Sequence, residues 1–189
     1  MKILLLNGPP RSGKDTIGRT LWNLIPRLVN MKFAEPIVQF MFQAYSIRME
    51  QTEKDLPHEA LSGRTPREVA IASSATFRTP PYGQDYSGKR AVQSIEQMEQ
   101  IAMQVCCFTD SGFVHEAGPV AMHVGGSNVL QIRVRRPGRN FQGDSRSYWE
   151  LRSPTISSIE FDNDCMDLSA LHTKVESDLL PEIQKWMAL

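Results

Sequence analysis

Near the start of the chain stand two glycines and a lysine in the order Gly8-Pro9-Pro10-Arg11-Ser12-Gly13-Lys14. These residue types at this spacing suit a phosphate. Glycine lets the backbone pass close to phosphate oxygens with its amide hydrogens turned inward. A helix starting just after the turn adds the positive end of its dipole. Lys14 would bring a movable positive charge to the terminal phosphates. The frame Gly-x-x-x-x-Gly-Lys is that of a P-loop. The hydroxyl residue that usually follows the lysine is replaced by Asp15, with Thr16 next. A carboxylate facing a triphosphate would repel it, so Asp15 is expected to face outward. Thr16 is then the expected hydroxyl for a phosphate or Mg²⁺. Gly8, Arg11, Ser12, Gly13, Lys14, Asp15 and Thr16 form the expected nucleotide-contacting set.

The surrounding pattern supplies what such a loop needs. Residues 2–6 are an apolar run that suits a strand buried on both faces of a parallel sheet. After the loop, Ile17, Leu21, Leu24 and Ile25 recur at helical spacing until Pro26. Further strands are expected near 30–34, 103–109, 128–134 and 156–161. Helices are expected from Pro36, from Thr65-Pro66-Arg67-Glu68 (an N-cap, a first-turn proline and an acidic first turn), over 89–102, over 113–123 and over 167–187. Residues 47–64 read as a polar loop with a short helix, 76–88 as a loop, and 135–150 as a basic, aperiodic loop. Strands separated by helices imply a parallel sheet. The expected fold is α/β, a three-layer P-loop NTPase architecture with a mostly parallel central sheet. It forms one domain, 1–189, with a helical acceptor-binding region over about 46–90 and a lid over 135–150.

Beyond the loop, several segments resemble the phage-type deoxynucleoside monophosphate kinases. The Arg11-Ser12-Gly13-Lys14-Asp15-Thr16 run is similar to that family's loop, and animal-type phosphomevalonate kinases share the Gly-Lys-Asp pattern. Phe33-Ala34-Glu35-Pro36-Ile37 resembles the family's segment after the second strand, and Thr65-Pro66-Arg67-Glu68 the start of its substrate-side arginine helix. Asp110-Ser111-Gly112-Phe113 with Glu116 resembles its Asp-x-Arg turn followed by Glu. Arg136-Pro137-Gly138 and Phe161-Asp162-Asn163-Asp164 resemble two late turns. Two positions depart from the pattern: Gly112 stands where the arginine is expected, and Ser73-Ser74 where Gly-Thr is common.

The resemblance implies ATP-dependent phosphoryl transfer, with Mg²⁺, to a deoxynucleoside monophosphate. Catalysis would be positioning and charge neutralisation. Lys14, Arg67, Asp110, Arg136 and Arg139 are the expected catalytic residues. Asp110 reads either as a Walker B-like acid that holds Mg²⁺ through water, with Thr16 as its partner, or as a helix cap. Arg67 reads as the acceptor-phosphate ligand or as a solvated helix residue. The arginines from Arg133 to Arg139 and Arg146 read as a lid that closes over phosphates and excludes water, or as a basic surface loop. Glu35, Arg67, Arg78, Asp85 and Arg90 are the expected acceptor-side residues. Asn163 is expected near the donor nucleotide, with a plain turn as the alternative. The other readings of the whole chain are a P-loop kinase acting on a modified base in phage DNA or another small acceptor, and a nucleotide-binding protein that transfers nothing.

Composition narrows the field. The formal net charge is zero, which speaks against a bulk nucleic-acid binder. No apolar run nears the roughly 20 residues that cross a bilayer, so a cytoplasmic location is expected, that of the host if the chain is of phage origin. Cys106, Cys107 and Cys165 lack framework spacing and read as reduced thiols, and the four histidines lack metal-ligand spacing. The expected partners are small molecules, and the oligomeric state is open, a homodimer included.

Overall fold

The computed structural model describes residues 1–48, 53–150 and 155–188. Five strands form one parallel sheet: β1 (Lys2–Asn7), β2 (Leu28–Met31), β3 (Val105–Phe108), β4 (Val129–Arg135) and β5 (Ser157–Asp162), in the order β2-β3-β1-β4-β5. In register, Leu4 faces Cys107 on one side and Leu130 on the other. The helices are α1 (Lys14–Leu24), α2 (Glu35–Tyr45), α3 (Pro66–Phe77), α4 (Tyr86–Gln100), α5 (Val114–Val124), α6 (Leu168–Lys174) and α7 (Leu180–Met187).

Strand alternation creates the layers. Leu4 and Leu6 pack with Ile17 and Leu21 of α1, and with Val175 and Ile183 at the C-terminal end. Ile3 and Leu5 point the other way, against Ile95 of α4 and Ala117 and Val120 of α5. Cys107 joins the first layer and Cys106 the second, and both are free thiols. Burial pushes both thiols up in pKa, Cys106 to about 12, which leaves them unreactive. A smaller cluster of Ile37, Met41, Ile47 and Leu61 holds α2 beside α3. No helix among the described residues is long and apolar enough to cross a membrane.

Several elements differ from the sequence reading. β2 comes early, because Leu28 is the residue that reaches the core. α4 begins at Tyr86, not 89, since Ser87 and Gly88 are buried against α5; a Cβ on Gly88 would lie 2.5 Å from the Glu116 carbonyl oxygen. The C-terminal helix is continuous but contains one π turn, Val175–Leu179, just ahead of Pro181. Proline lacks an N–H and crowds the preceding turn, and a wider turn accommodates it. Residues 135–150 divide in two. The stretch 136–143 is mainly exposed, whereas Trp149 is buried in the second layer with Ile3 and Leu5. The far end of the expected lid is thus anchored in the core through Trp149, while Ser145, Ser147, Tyr148 and Glu150 stay exposed.

Candidate functional site

The loop 8–13 leaves the C-terminal end of the central strand. Its following helix covers one face of the sheet. The connections leaving the neighbours β3 and β4 contribute Ala117, Val120 and Trp149 to the other face. Divergence of this kind opens a crevice at the strand ends, the usual ligand position in open α/β sheets.

The loop's shape depends on its glycines. Gly13 sits at φ 100°, and a Cβ there would lie 2.5 Å from Asn163 Nδ2. A Cβ on Gly8 would lie 2.5 Å from the Val134 carbonyl oxygen. Lys14 folds back inside the turn. Its Nζ donates to the carbonyls of Gly8 (2.6 Å) and Pro9 (2.7 Å) and to Ser12 Oγ (3.3 Å). Burial, and then the Arg146 charge, lower its pKa to about 8, while Asp15, Asp110 and Asp144 pull the other way. Asn163, itself buried, braces the loop from the end of β5 by donating Nδ2 to the Ser12 carbonyl at 2.8 Å.

Asp15 turns toward the end of β3. It accepts from Thr109 Oγ1 at 2.8 Å and pairs with Lys32 at 3.4 Å. Gly18 permits this approach, because a Cβ there would meet Thr109 Cγ2 at 2.5 Å. Thr16 occupies the first turn of α1, half-buried. Asp110 accepts the backbone N–H groups of Phe33 (2.9 Å) and Ala34 (3.0 Å), tying β3 to the start of α2. It therefore caps the turn before α2, not the helix that follows it. Burial raises its pKa, and those two N–H groups, Lys32 and Arg146 oppose the rise.

The donor set fits Mg²⁺ in one form only. No group of three or more His, Cys, Asp or Glu among the described residues could hold a metal. Mg²⁺ commonly takes one or two protein oxygens and completes its shell with phosphate and water. Thr16 and Asp110 would supply such a partial set. Each Asp110 oxygen keeps an unused lone pair, and a nearby dication would offset the cost of its buried charge.

Around this centre lie cations from several segments. Arg136 Nη1 reaches the Arg11 carbonyl at 3.4 Å, and Arg139 is exposed. Arg67 grips Asp55 through Nε and through Nη2 (3.2 Å). The Lys54 pKa is lowered by burial and then by the Arg67 charge, with Asp55 and Asp15 opposing the fall. Arg78 lies over the Phe113 ring at 4.2 Å, and Phe113 stacks on His115. The remaining acceptor-side residues have partners on their own helices: Glu35 with Gln39 (3.3 Å), Asp85 with Lys89 (3.0 Å) and Arg90 with Gln93 (2.6 Å). Arg133 and Arg135 pair with Glu150 and Glu160. Two grooves flank α2, lined by residues such as Phe42, Ile47 and Arg48; none of the lining residues belongs to the loop.

Asn7 carries no role in the sequence reading of the site; Glu116 enters that reading only through the resembled turn, and Asp144 and Arg146 only as part of the expected lid. Asn7, buried at the end of β1, donates Nδ2 to the carbonyls of Ser111 (3.0 Å) and Ser147 (3.1 Å) and accepts from the Trp149 N–H (3.3 Å). Glu116 is buried with Oε2 unpartnered; burial, then the Asp110 charge, push its pKa up to about 8. A polar residue ending an apolar strand was the one available signal for Asn7. Arg146 stands two residues after Asp144 in a glycine-bearing stretch, but the contact with Gly112 crosses 34 positions, and no local pattern shows it.

No protein-family model matches the chain, and no curated protein matches it. Solved structures do. A sugar kinase from Janibacter sp. HTCC2649, in an unliganded structure, aligns with a TM-score of 0.51 at 11% identity over 100% of this chain and 95% of its own. A "putative kinase" from Chloroflexus aurantiacus aligns with a TM-score of 0.51 at 13% identity, over 95% and 96%. The likeness is one of fold: a three-layer α/β architecture of the kind found in small-molecule kinases.

Proposed function

We propose that this chain is a P-loop phosphotransferase that moves the terminal phosphoryl group of ATP to a small acceptor. One observation carries the reading: the Lys14 ammonium is buried within a glycine-shaped turn at the head of a helix, at the crevice end of the central strand. A turn of this form offers inward amides, a helix dipole and a cation together, and a polyphosphate tail needs all three. An acceptor oxygen would form the new P–O bond as the bond to the departing diphosphate breaks. Lys14 would neutralise charge on the phosphate oxygens. Asn163 would keep the loop in shape, and Thr16 and Asp110 would hold Mg²⁺, which supplies charge neutralisation between the phosphates.

A deoxynucleoside monophosphate is the first acceptor to test. The resemblance to phage-type kinases favours it, and so do Lys54, Arg67 and Arg78, which would suit a charged acceptor. A second reading takes a neutral hydroxyl acceptor such as a sugar. One feature favours it: Arg67 is already committed to Asp55. A modified base in phage DNA draws no support from the neutral net charge.

The test is one assay with two panels. The protein is incubated with Mg²⁺ and ATP, and with either deoxynucleoside monophosphates or sugars, and products are resolved by chromatography. Lys14-dependent diphosphate formation selects the first reading. Lys14-dependent sugar phosphate selects the second. Nucleotide binding without transfer to either panel leaves a non-catalytic binder, and no binding at all defeats the proposal.

A further inference from the structure

Arg146 is held by two different devices. Its Nε and Nη2 donate to the two oxygens of Asp144, at 2.8 and 2.6 Å, and its backbone N–H also reaches Asp144 at 2.9 Å. Its aliphatic stem lies across Gly112. A Cβ on Gly112 would stand 2.3 Å from Arg146 Cδ and 2.5 Å from Cγ. The two backbones involved are pinned by one side chain, because Asn7 Nδ2 bonds both the Ser111 and the Ser147 carbonyls. Where the resembled family carries an arginine in its Asp-x-Arg turn, this chain has a glycine, and the stem of a distant arginine occupies the space.

The fixed guanidinium still has an open edge. Asp144 takes Nε and one side of Nη2; Nη1 has no hydrogen-bond partner among the described residues, and the side chain keeps 24% of its surface. The open edge presents parallel N–H groups, the geometry that receives two oxygens of one phosphate. Asn7, the residue just before Gly8, holds the Ser147 carbonyl at 3.1 Å, so the segment that carries Arg146 lies beside the turn that encloses Lys14. Two cations brought to one strand-end crevice repel each other unless an anion lies between them.

We propose that Arg146, fixed by Asp144 and by the missing side chain of Gly112, is the second phosphate-binding cation of this site and shares the terminal phosphate of the bound nucleotide with Lys14. The inference rests on the P-loop reading above and adds a ligand for the third phosphate. Asp144 is a positioning residue, and so is Gly112. Unlike an arginine on a closing lid, Arg146 is in place before the nucleotide arrives, since Trp149 and Asn7 hold its segment to the core.

The test is calorimetric titration of the full chain, with Mg²⁺, against ADP and a non-hydrolysable ATP analogue. The wild type is expected to prefer the triphosphate. In Arg146→Met that preference should shrink by roughly tenfold or more, the usual cost of losing hydrogen bonds to a charged group, with ADP affinity changed less than about twofold. Arg146→Lys keeps the charge beside Asp144 but lacks the second edge, and should lose most of the same preference. Gly112→Ala alters no charge yet displaces the stem, so it should move the preference in the same direction. Thermal melts identify folded variants, and Arg146→Lys secures the test if Arg146→Met does not fold. A folded Arg146→Lys or Arg146→Met that keeps the wild-type preference overturns the proposal. A wild type that binds both nucleotides equally overturns it too, while leaving the P-loop reading intact. A wild type that binds neither ends both.

Discussion

The 8–14 turn and the region around α3 and α4 proposed to receive the acceptor are built differently. In the turn, backbone and buried groups set the geometry. Lys14 donates to the Gly8 carbonyl and to Ser12 Oγ, and Asn163 donates Nδ2 to the Ser12 carbonyl; Ser12 and Asn163 are almost wholly buried, and Asn163 Oδ1 has no partner among the described residues. In the proposed acceptor region, exposed charged side chains are paired with close neighbours: Arg67 with Asp55, Asp85 with Lys89, Arg90 with Gln93. α3 buries only Pro66 fully, and Ile71 keeps 62% of its surface. A buried network fixes position, whereas exposed ion pairs contribute little and exchange partners readily. One side is a preformed mould. The other is a set of charges that a substrate could re-pair.

Four substitutions would break or sharpen that contrast. The largest effect is expected from Lys14→Ala, which removes the cation from the mould. Transfer should fall by roughly a hundredfold to a thousandfold, the scale seen when a preorganised transition-state donor is deleted. Activity near wild type would place the chemistry elsewhere.

Glu116 is buried on α5 and feels the charges of Asp110 and Arg78, and its substitution should act on stability. Its folded pKa of about 8 stands above its ordinary 4.5, so the folded chain holds a proton that the unfolded chain releases. Stability from this group is fully present below about 4.5 and is lost as pH rises through about 8. Glu116→Gln should therefore flatten the melting temperature between pH 5 and pH 8 and stabilise the fold at pH 8, by on the order of a few kcal/mol at most. Equal slopes for both proteins would remove the buried-acid reading.

Arg67→Ala should raise the acceptor KM by roughly tenfold, with ADP affinity changed less than about twofold, because the lost contact is a charged one on the acceptor side only. A parallel loss of ADP affinity would show that the two sides are not independent. The smallest effect belongs to Arg90→Ala. An exposed arginine bonded to its own helix should change KM by less than about twofold, and a larger change would bring α4 into the acceptor pocket.

The same contrast explains what could be read from sequence. The loop, its strand and its helix were legible because they are local: glycines, lysine and 3.6-residue periodicity lie within 25 positions. The layered sheet was legible because apolar runs alternate with helical patterns. The outward placement expected for Asp15 is answered by Thr109 and Lys32, which hold it at the end of β3. Asp110 as a tie to Phe33 and Ala34, Asn7 as a clamp, and Trp149 as a core residue all depend on contacts between segments far apart in the chain. The basic stretch 135–150 looked uniform, yet tertiary packing takes Trp149 inside. Composition carries no trace of that division.

The Asn7 carboxamide has a mechanical consequence. By gripping the 111 turn and the 147 arm from the last residue of β1, it makes three separate pieces of chain behave as one rivet head beside the 8–13 loop. A strand whose far end is anchored in both core layers cannot drift, so the spacing between turn and arm is inherited from the registry of the sheet itself.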